Sequence, residues 1–260
     1  MQANSKQFSL VMKAMRRTLF LYATALAACA PSPPPHALTI AVATDLAPWA
    51  NAHRPQLSEA LGGPVTVVAG SSGQLATQLL AGAPFDLLLS ADGATLDRLL
   101  PSDRCDNGSR RPFATGHLAI AIAPHLTLPA TVATLASNAV TTIAIANPDH
   151  APYGRLARAY LGSLPEAPHL LPKLVFAASA ADAAAWVDRG AADAAVTAWS
   201  LLRAQSNGRA TQLPEGVAAL PATGIVCGPA ATTLAPRWKA LTAAPWFRRS
   251  LAEAGFGPPP

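Results

Sequence analysis

Short apolar runs recur along this chain, each followed by a stretch with helical spacing, and that alternation limits the fold more than any other feature. "LTIAVAT" (38–44), "PVTVVAG" (64–70) and "FDLLLSA" (85–91) read as strands, while "LAPWANAHRPQLSEAL", "SGQLATQLLAG" and "DGATLDRLL" read as helices. Strands that are apolar on both faces and separated by helices belong in a buried, largely parallel sheet. The pattern resumes after a loop holding Pro101, Arg104 and Cys105, with strands expected at 117–123, 140–146, 174–179 and 193–199. Helices are expected near 131–137, at 152–161 ("PYGRLARAYL") and over "ADAAAWVDRG". One more strand at 222–228 precedes a C-terminal helix stopped at Gly255, a residue type that ends helices well. The chain is therefore α/β, with two sheet-building halves and no repeat of 20–50 residues.

With 51% hydrophobic and 13% charged residues, the chain can bury a substantial core. The net charge of +5 does not indicate a nucleic-acid partner. Lys6, Lys13, Arg16 and Arg17 precede residue 29, where there are no acids, and the remainder carries 15 basic against 14 acidic residues. Phosphate backbones are bound by clustered Lys and Arg, which that remainder lacks. The segment "MRRTLFLYATALAAC" (15–29) has a basic start, an apolar run too short to span a bilayer and small residues before Cys29. That is the pattern of an export signal. Residues 1–37 are thus expected to be signal peptide and Pro-rich linker ("PSPPP"), and Met15 is an alternative start. "LAAC" resembles the bacterial lipobox, which would make Cys29 a lipid-bearing N-terminus; cleavage after Ala30 or Ala37 is the alternative. After export only Cys105 and Cys227 remain, either as one disulfide or as two free buried thiols.

In open α/β sheets, ligands sit beyond the C-terminal ends of the strands, where helix N-termini offer free N–H groups. "AGSSGQLATQLL" lies at such a turn. Gly70 and Gly73 permit close backbone approach, Ser71 and Ser72 supply hydroxyls, and the helix behind them adds amides. Together they suit an oxyanion held without a counter-charge; simple N-capping by either Ser is the structural alternative. No G-x-x-x-x-G-K-[ST], no G-x-G-x-x-G after a strand and no G-x-S-x-G is present, which argues against nucleotide chemistry and a nucleophile elbow. The six His residues show no ligand spacing with one another or with Cys, so no metal site is expected. Asp92 is expected to cap a helix and Asp86 to anchor a turn.

In "LTIAVATDL", "GSSGQLATQLLAGAPFDLLLSAD", "ATGHLAIAIAP", "IANPDHAPYGRLARAYL", "PKLVFAASAADAAAWVDRGAADAAVTAWSL" and "AGFGPP", the chain resembles the periplasmic molybdate-binding proteins of ABC importers. These belong to the larger class of two-lobed solute-binding proteins. The resemblance implies a type II periplasmic binding fold, each lobe a mixed sheet flanked by helices, with the ligand cleft between lobes. Lobe 1 would comprise 38–115 with 222–260, and lobe 2 116–221. It further implies a monomer without catalysis or cofactor, exported to the periplasm, that closes on molybdate or tungstate and docks on the importer's membrane subunits. Ligand contacts then fall at Thr44, Asp45, Ser71, Ser72, Tyr153, Ala180 and Ala198. Two of these depart from the family pattern: Asp45 stands where the best-described members carry Ser, and Ala198 where they carry Tyr. A carboxylate facing a dianion about 4 Å away opposes binding by roughly 8 kcal/mol at an effective dielectric near 20. Three resolutions are open: Asp45 turns back to cap the helix beginning "LAPWANA", which is the expectation taken here; it is protonated and donates; or the ligand is an organic or neutral solute. An exported serine hydrolase built on Ser72 and a histidine is the reading from a different functional class.

Overall fold

The computed structural model describes residues 37–205, 209–214 and 219–260. The export segment, Met15 and Cys29 lie outside the described residues. In chain order the first half holds β1 (Leu38–Ala43), α1 (Ala47–Ala52), α2 (Arg54–Leu61), β2 (Val65–Gly70), α3 (Ser72–Leu80), β3 (Leu87–Ser90) and α4 (Ala94–Asp97). The long β4 (Cys105–Ile122) leads to α5 (Val132–Ala136), β5 (Ile143–Ala146), α6 (Pro152–Ser163), α7 (Ala167–Leu170) and β6 (Leu174–Ala177). Then come α8 (Ala180–Asp188), β7 (Ala194–Ala198), α9 (Trp199–Gln205), β8 (Ala210–Gln212), β9 (Ala219–Cys227), α10 (Ala231–Ala243) and α11 (Pro245–Glu253).

The strands are ordered β2-β1-β3-β9-β4-β7-β5-β6, with β8 on β4. β1 runs parallel to β2 and β3, and β5 parallel to β6 and β7, so each half has a parallel core strand. β9 and β4 run antiparallel to their neighbours and stand between the two halves. β4 joins them: up to His117 it pairs with β9, and from Leu118 it pairs with β7 and β8. This is a mixed-sheet α/β fold, as the alternating pattern requires.

Three local expectations needed correction, each for a chain-chemical reason. The run 46–61 forms two helices rather than one, because Pro55 falls in the first turn of α2 and removes an amide that a continuous helix would need. Pro245 splits the C-terminal helix in the same way. The segment before residue 117, expected as loop, is strand from Cys105; irregular register between Asp106 and Arg111 and between Pro112 and Ala114 breaks the period-2 pattern that would have revealed it.

The core runs along β1, β3, β5 and β7, whose residues are almost all buried. α10 and α11 return to the first half through an aromatic cluster in which Trp238 and Phe247 pack against Phe113 of β4, and Phe247 against Trp49 of α1. Trp49 Nε1 donates to Ser250 Oγ at 3.0 Å, satisfying the buried indole. Gly154 marks a close approach: a Cβ there would collide with the Ala146 carbonyl, so α6 packs its first turn directly on the end of β5.

Candidate functional site

The ends of β1 and β3 and the starts of α3, α6 and α8 meet at one point, since parallel strands send all their following helices from the same sheet edge. A small, partly open cavity lies there, about 10 Å³ and lined by Ala43, Thr44, Asp45, Ser71, Ser72, Ala91, Ala151, Pro152, Tyr153 and Ala180. Of the residues expected to touch a ligand, Thr44, Asp45, Ser71, Ser72, Tyr153 and Ala180 are brought together. Ala198 is not among the lining residues; it is buried at the end of β7, beside Leu118 of β4.

Among the described residues, no Lys or Arg lines the cavity. What it offers is the starts of α3, α6 and α8 and the positive ends of their helix dipoles, although the Asp182 amide of α8 is already capped by Ser179 Oγ. Neither serine acts as a side-chain cap of α3. Ser72 Oγ accepts the Ala91 N–H at 3.0 Å, which leaves the hydroxyl proton available to donate. Ser71 Oγ donates to the Ala178 carbonyl at 3.0 Å, on the loop before α8. Gly73 N–H donates to the His150 carbonyl at 3.0 Å, across the same cleft. A Cβ at Gly73 would come within 2.5 Å of that carbonyl, so glycine permits the two walls to meet.

Asp45 is the one charged type on the wall, and it does not cap α1. Leu46 holds the cap position and donates its N–H to Ala43, while the Asp45 carboxyl turns into the cavity. Asp45 is 3% exposed, and its Oδ2 has no hydrogen-bond partner. The Tyr153 hydroxyl faces it, though without the geometry of a formed hydrogen bond, and is likewise unpartnered. Burial pushes the Asp45 carboxyl up to about 7, against the opposing pull of the Tyr153 hydroxyl and of the Asp45 and Leu46 amides. Burial, with the Asp45 charge behind it, holds the Tyr153 hydroxyl protonated well above its usual range. Of the three resolutions set out for Asp45, the cap is therefore excluded, and a neutral, donating carboxyl has a physical cause.

The geometry does not favour the hydrolase reading. Ser72 Oγ is bonded to a backbone amide, and among the described residues no histidine is hydrogen-bonded to it. The nearby His150 spends Nε2 on the Ala178 carbonyl. Asp92 accepts the Thr95 N–H at the start of α4, as a capping residue would, whereas Asp86 accepts the Thr39 N–H of β1 and so ties two strands together rather than anchoring a local turn. Sequence reasoning missed Ala43, Ala91, Ala151, Pro152, the His150 carbonyl and Ser200, which donates to the Asp45 carbonyl. Only Pro152 had a signal: proline at the first helical position marks a helix start.

The family description "Bacterial extracellular solute-binding protein" matches residues 38–257, nearly all of the described chain. The chain belongs to this family. Its members are extracellular solute-binding proteins. The chain is 31% identical over 158 residues to the molybdate-binding protein ModA of Rhodobacter capsulatus, and 35% identical over 131 residues to that of Azotobacter vinelandii. The matched segments cover 61% and 50% of this chain and span 62% and 52% of those two proteins. Among solved structures, the periplasmic molybdate-binding protein of Azotobacter vinelandii superposes with a TM-score of 0.74 at 26% identity, covering 86% of this chain and all of the other. The fold is thus the two-lobed fold of periplasmic binding proteins. No helix among the described residues is long and apolar enough to cross a membrane.

Proposed function

We propose that this protein captures molybdate or tungstate outside the cytoplasm and delivers it to the membrane subunits of an ABC importer. The observation that carries this reading is the cavity itself: hydroxyls of Ser72 and Tyr153 and the N-termini of α3, α6 and α8 converge on one small space that no Lys or Arg among the described residues lines. The donor set suits a compact tetrahedral oxyanion, for which the walls must part because about 10 Å³ holds no more than about one water; the relatives named above are molybdate-binding proteins. Thr44, Asp45, Ser71, Ser72, Tyr153 and Ala180 are its ligand-facing residues. Asp45 enters as a neutral donor, and Ala198 ends β7 in the core without facing the ligand. The lobes are 38–115 with 222–260, and 116–221, hinged on β4 and β9. Residues 1–37 export the chain and Cys29 carries the lipid anchor; the protein works as a monomer and makes or breaks no covalent bond in its ligand.

Calorimetric titration of ligand-free protein with molybdate, tungstate, sulfate and phosphate tests this reading. Saturable binding of the first two alone is expected; no binding of any of the four to folded protein sinks it. Ser72→Ala should weaken molybdate binding about 10- to 100-fold, as loss of one hydrogen bond to a charged group does, and should cost about 1–3 kcal/mol of stability because the buried Ala91 N–H loses its acceptor. Gly73→Ala should weaken it at least tenfold by wedging the two walls apart at His150 while the separate sheets stay folded. Both are read in the same titration, with a melting curve as control.

A further inference from the structure

Four ion pairs occur among the described residues, and three join elements of the same half: Arg110 with Asp97, His125 with Asp193, and Arg209 with Asp188. The fourth, Arg155 with Asp92, crosses the cleft. Arg155 lies in the first turn of α6, two residues after Tyr153, and its Nη2 reaches Asp92 Oδ2 at 2.9 Å and Thr95 Oγ1 at 3.4 Å. Asp92 follows Ala91, whose N–H is fixed on Ser72 Oγ and which itself lines the cavity. The other carboxylate oxygen of Asp92 accepts the Thr95 N–H, so the carboxylate is held rigidly at the start of α4. The Asp92 side chain is only 9% exposed and that of Arg155 43%, which puts the bond at the rim of the closed cleft with its anionic end shielded from water.

We propose that Arg155 and Asp92 form a latch that holds the cleft shut and sets the rate at which ligand leaves. The pair fastens the two pocket walls bearing Ser72 and Tyr153, without either residue lining the cavity. Its partners separate when the walls part, so it acts on release far more than on capture. A guanidinium meeting a partly desolvated, pre-positioned carboxylate is a pair of the kind that contributes measurably, unlike a fully exposed one. This inference rests on the reading of the cleft as a ligand trap, and Arg155 is a positioning residue within it.

Two measurements on Arg155→Gln, Asp92→Asn and the double variant test the latch. Asn keeps a carbonyl oxygen for the Thr95 N–H, so α4 remains capped. In stopped-flow displacement of molybdate, each single variant should release ligand about tenfold faster with association changed less than twofold, and the double variant should release no faster than the singles. Raising salt should speed release from the unaltered protein and leave the variants unaffected. Hydrogen exchange on ligand-free protein needs no ligand identity: the Gly73 amide, whose acceptor lies across the cleft, should exchange several-fold faster in Arg155→Gln, while the amides of β5 exchange as before. Unchanged release with unchanged Gly73 exchange overturns the latch, as does additivity of the two substitutions. Failure of molybdate to bind at all overturns the ligand assignment instead, and the exchange of Gly73 still decides the latch.

Discussion

Molybdate should bind with nearly constant affinity below about pH 6 and weaken about tenfold for each pH unit above pH 7, and Asp45→Asn should flatten that profile. The ligand stays a dianion over this range, so the slope belongs to the protein. Burial lifts the Asp45 carboxyl to about 7. Once ionised, it would oppose a dianion at about 4 Å by roughly 8 kcal/mol at an effective dielectric near 20. The ionised form is then excluded from the complex, and above pH 7 each binding event must take up one proton. Linkage gives the same sign for stability. A carboxyl at 3.8 in the unfolded chain and about 7 in the folded one adds stability that is full below pH 3.8 and lost as pH rises through about 7. The span corresponds to about 4 kcal/mol at 1.36 kcal/mol per pKa unit. Asp45→Asn should therefore melt higher than the unaltered protein at pH 8 and gain little at pH 4, while holding molybdate at pH 8 at least tenfold tighter. Calorimetry across pH 5.5–9 in two buffers of different ionisation enthalpy reads both affinity and proton uptake. A molybdate affinity that does not fall above pH 7 would show that the Asp45 carboxyl does not face the bound ligand.

The sheet-forming segments were legible because a strand buried on both faces must be continuously apolar, and Ile143–Ala146 and Leu87–Ser90 leave no other reading once their flanking helices are placed. β4 was half hidden because its first part carries charges, a glycine and a proline around register irregularities. Within the site, the hydroxyl-bearing turn at Ser71 and Ser72 was visible from residue type, but the partners of those hydroxyls were not. Ser71 meets Ala178 and Gly73 meets His150 only through tertiary contact across a cleft, by backbone carbonyls that carry no sequence signal. Asp45 shows the limit most plainly. Asp just before a helix is a capping signal by propensity, yet the turn lets Leu46 close on Ala43 and leaves the carboxyl no direction but inward.

Removing the disulfide should lower the melting temperature by about 5–20 °C and leave molybdate affinity within about twofold. Cys105 and Cys227 are bonded, which resolves the choice the sequence left open, and they are register partners at the outer ends of β4 and β9. They are 122 residues apart in the chain. Crosslinking a loop of that length restricts the unfolded chain by about 4–5 kcal/mol in the chain-entropy account, with observed losses of about 2–5 kcal/mol. For a chain of this size each kcal/mol moves the melting point by about 2–4 °C. Binding should be spared because of where the bond lies. Beside it, Val226 pairs with Leu87 at the start of β3, whereas the cavity residue Ala91 follows the end of that strand, so the disulfide and the pocket occupy opposite edges of the sheet. Cys105→Ser tests this while keeping the buried Cys227 sulfur in its apolar cluster with Leu88, Leu96 and Ile225. Reductant should lower the melting point of the unaltered protein to that of Cys105→Ser and leave the variant unmoved. A melting point indifferent to reductant would show that the crosslink contributes nothing to stability, and a loss of affinity alongside it would mean that strain travels along β3 from one edge of the sheet to the other.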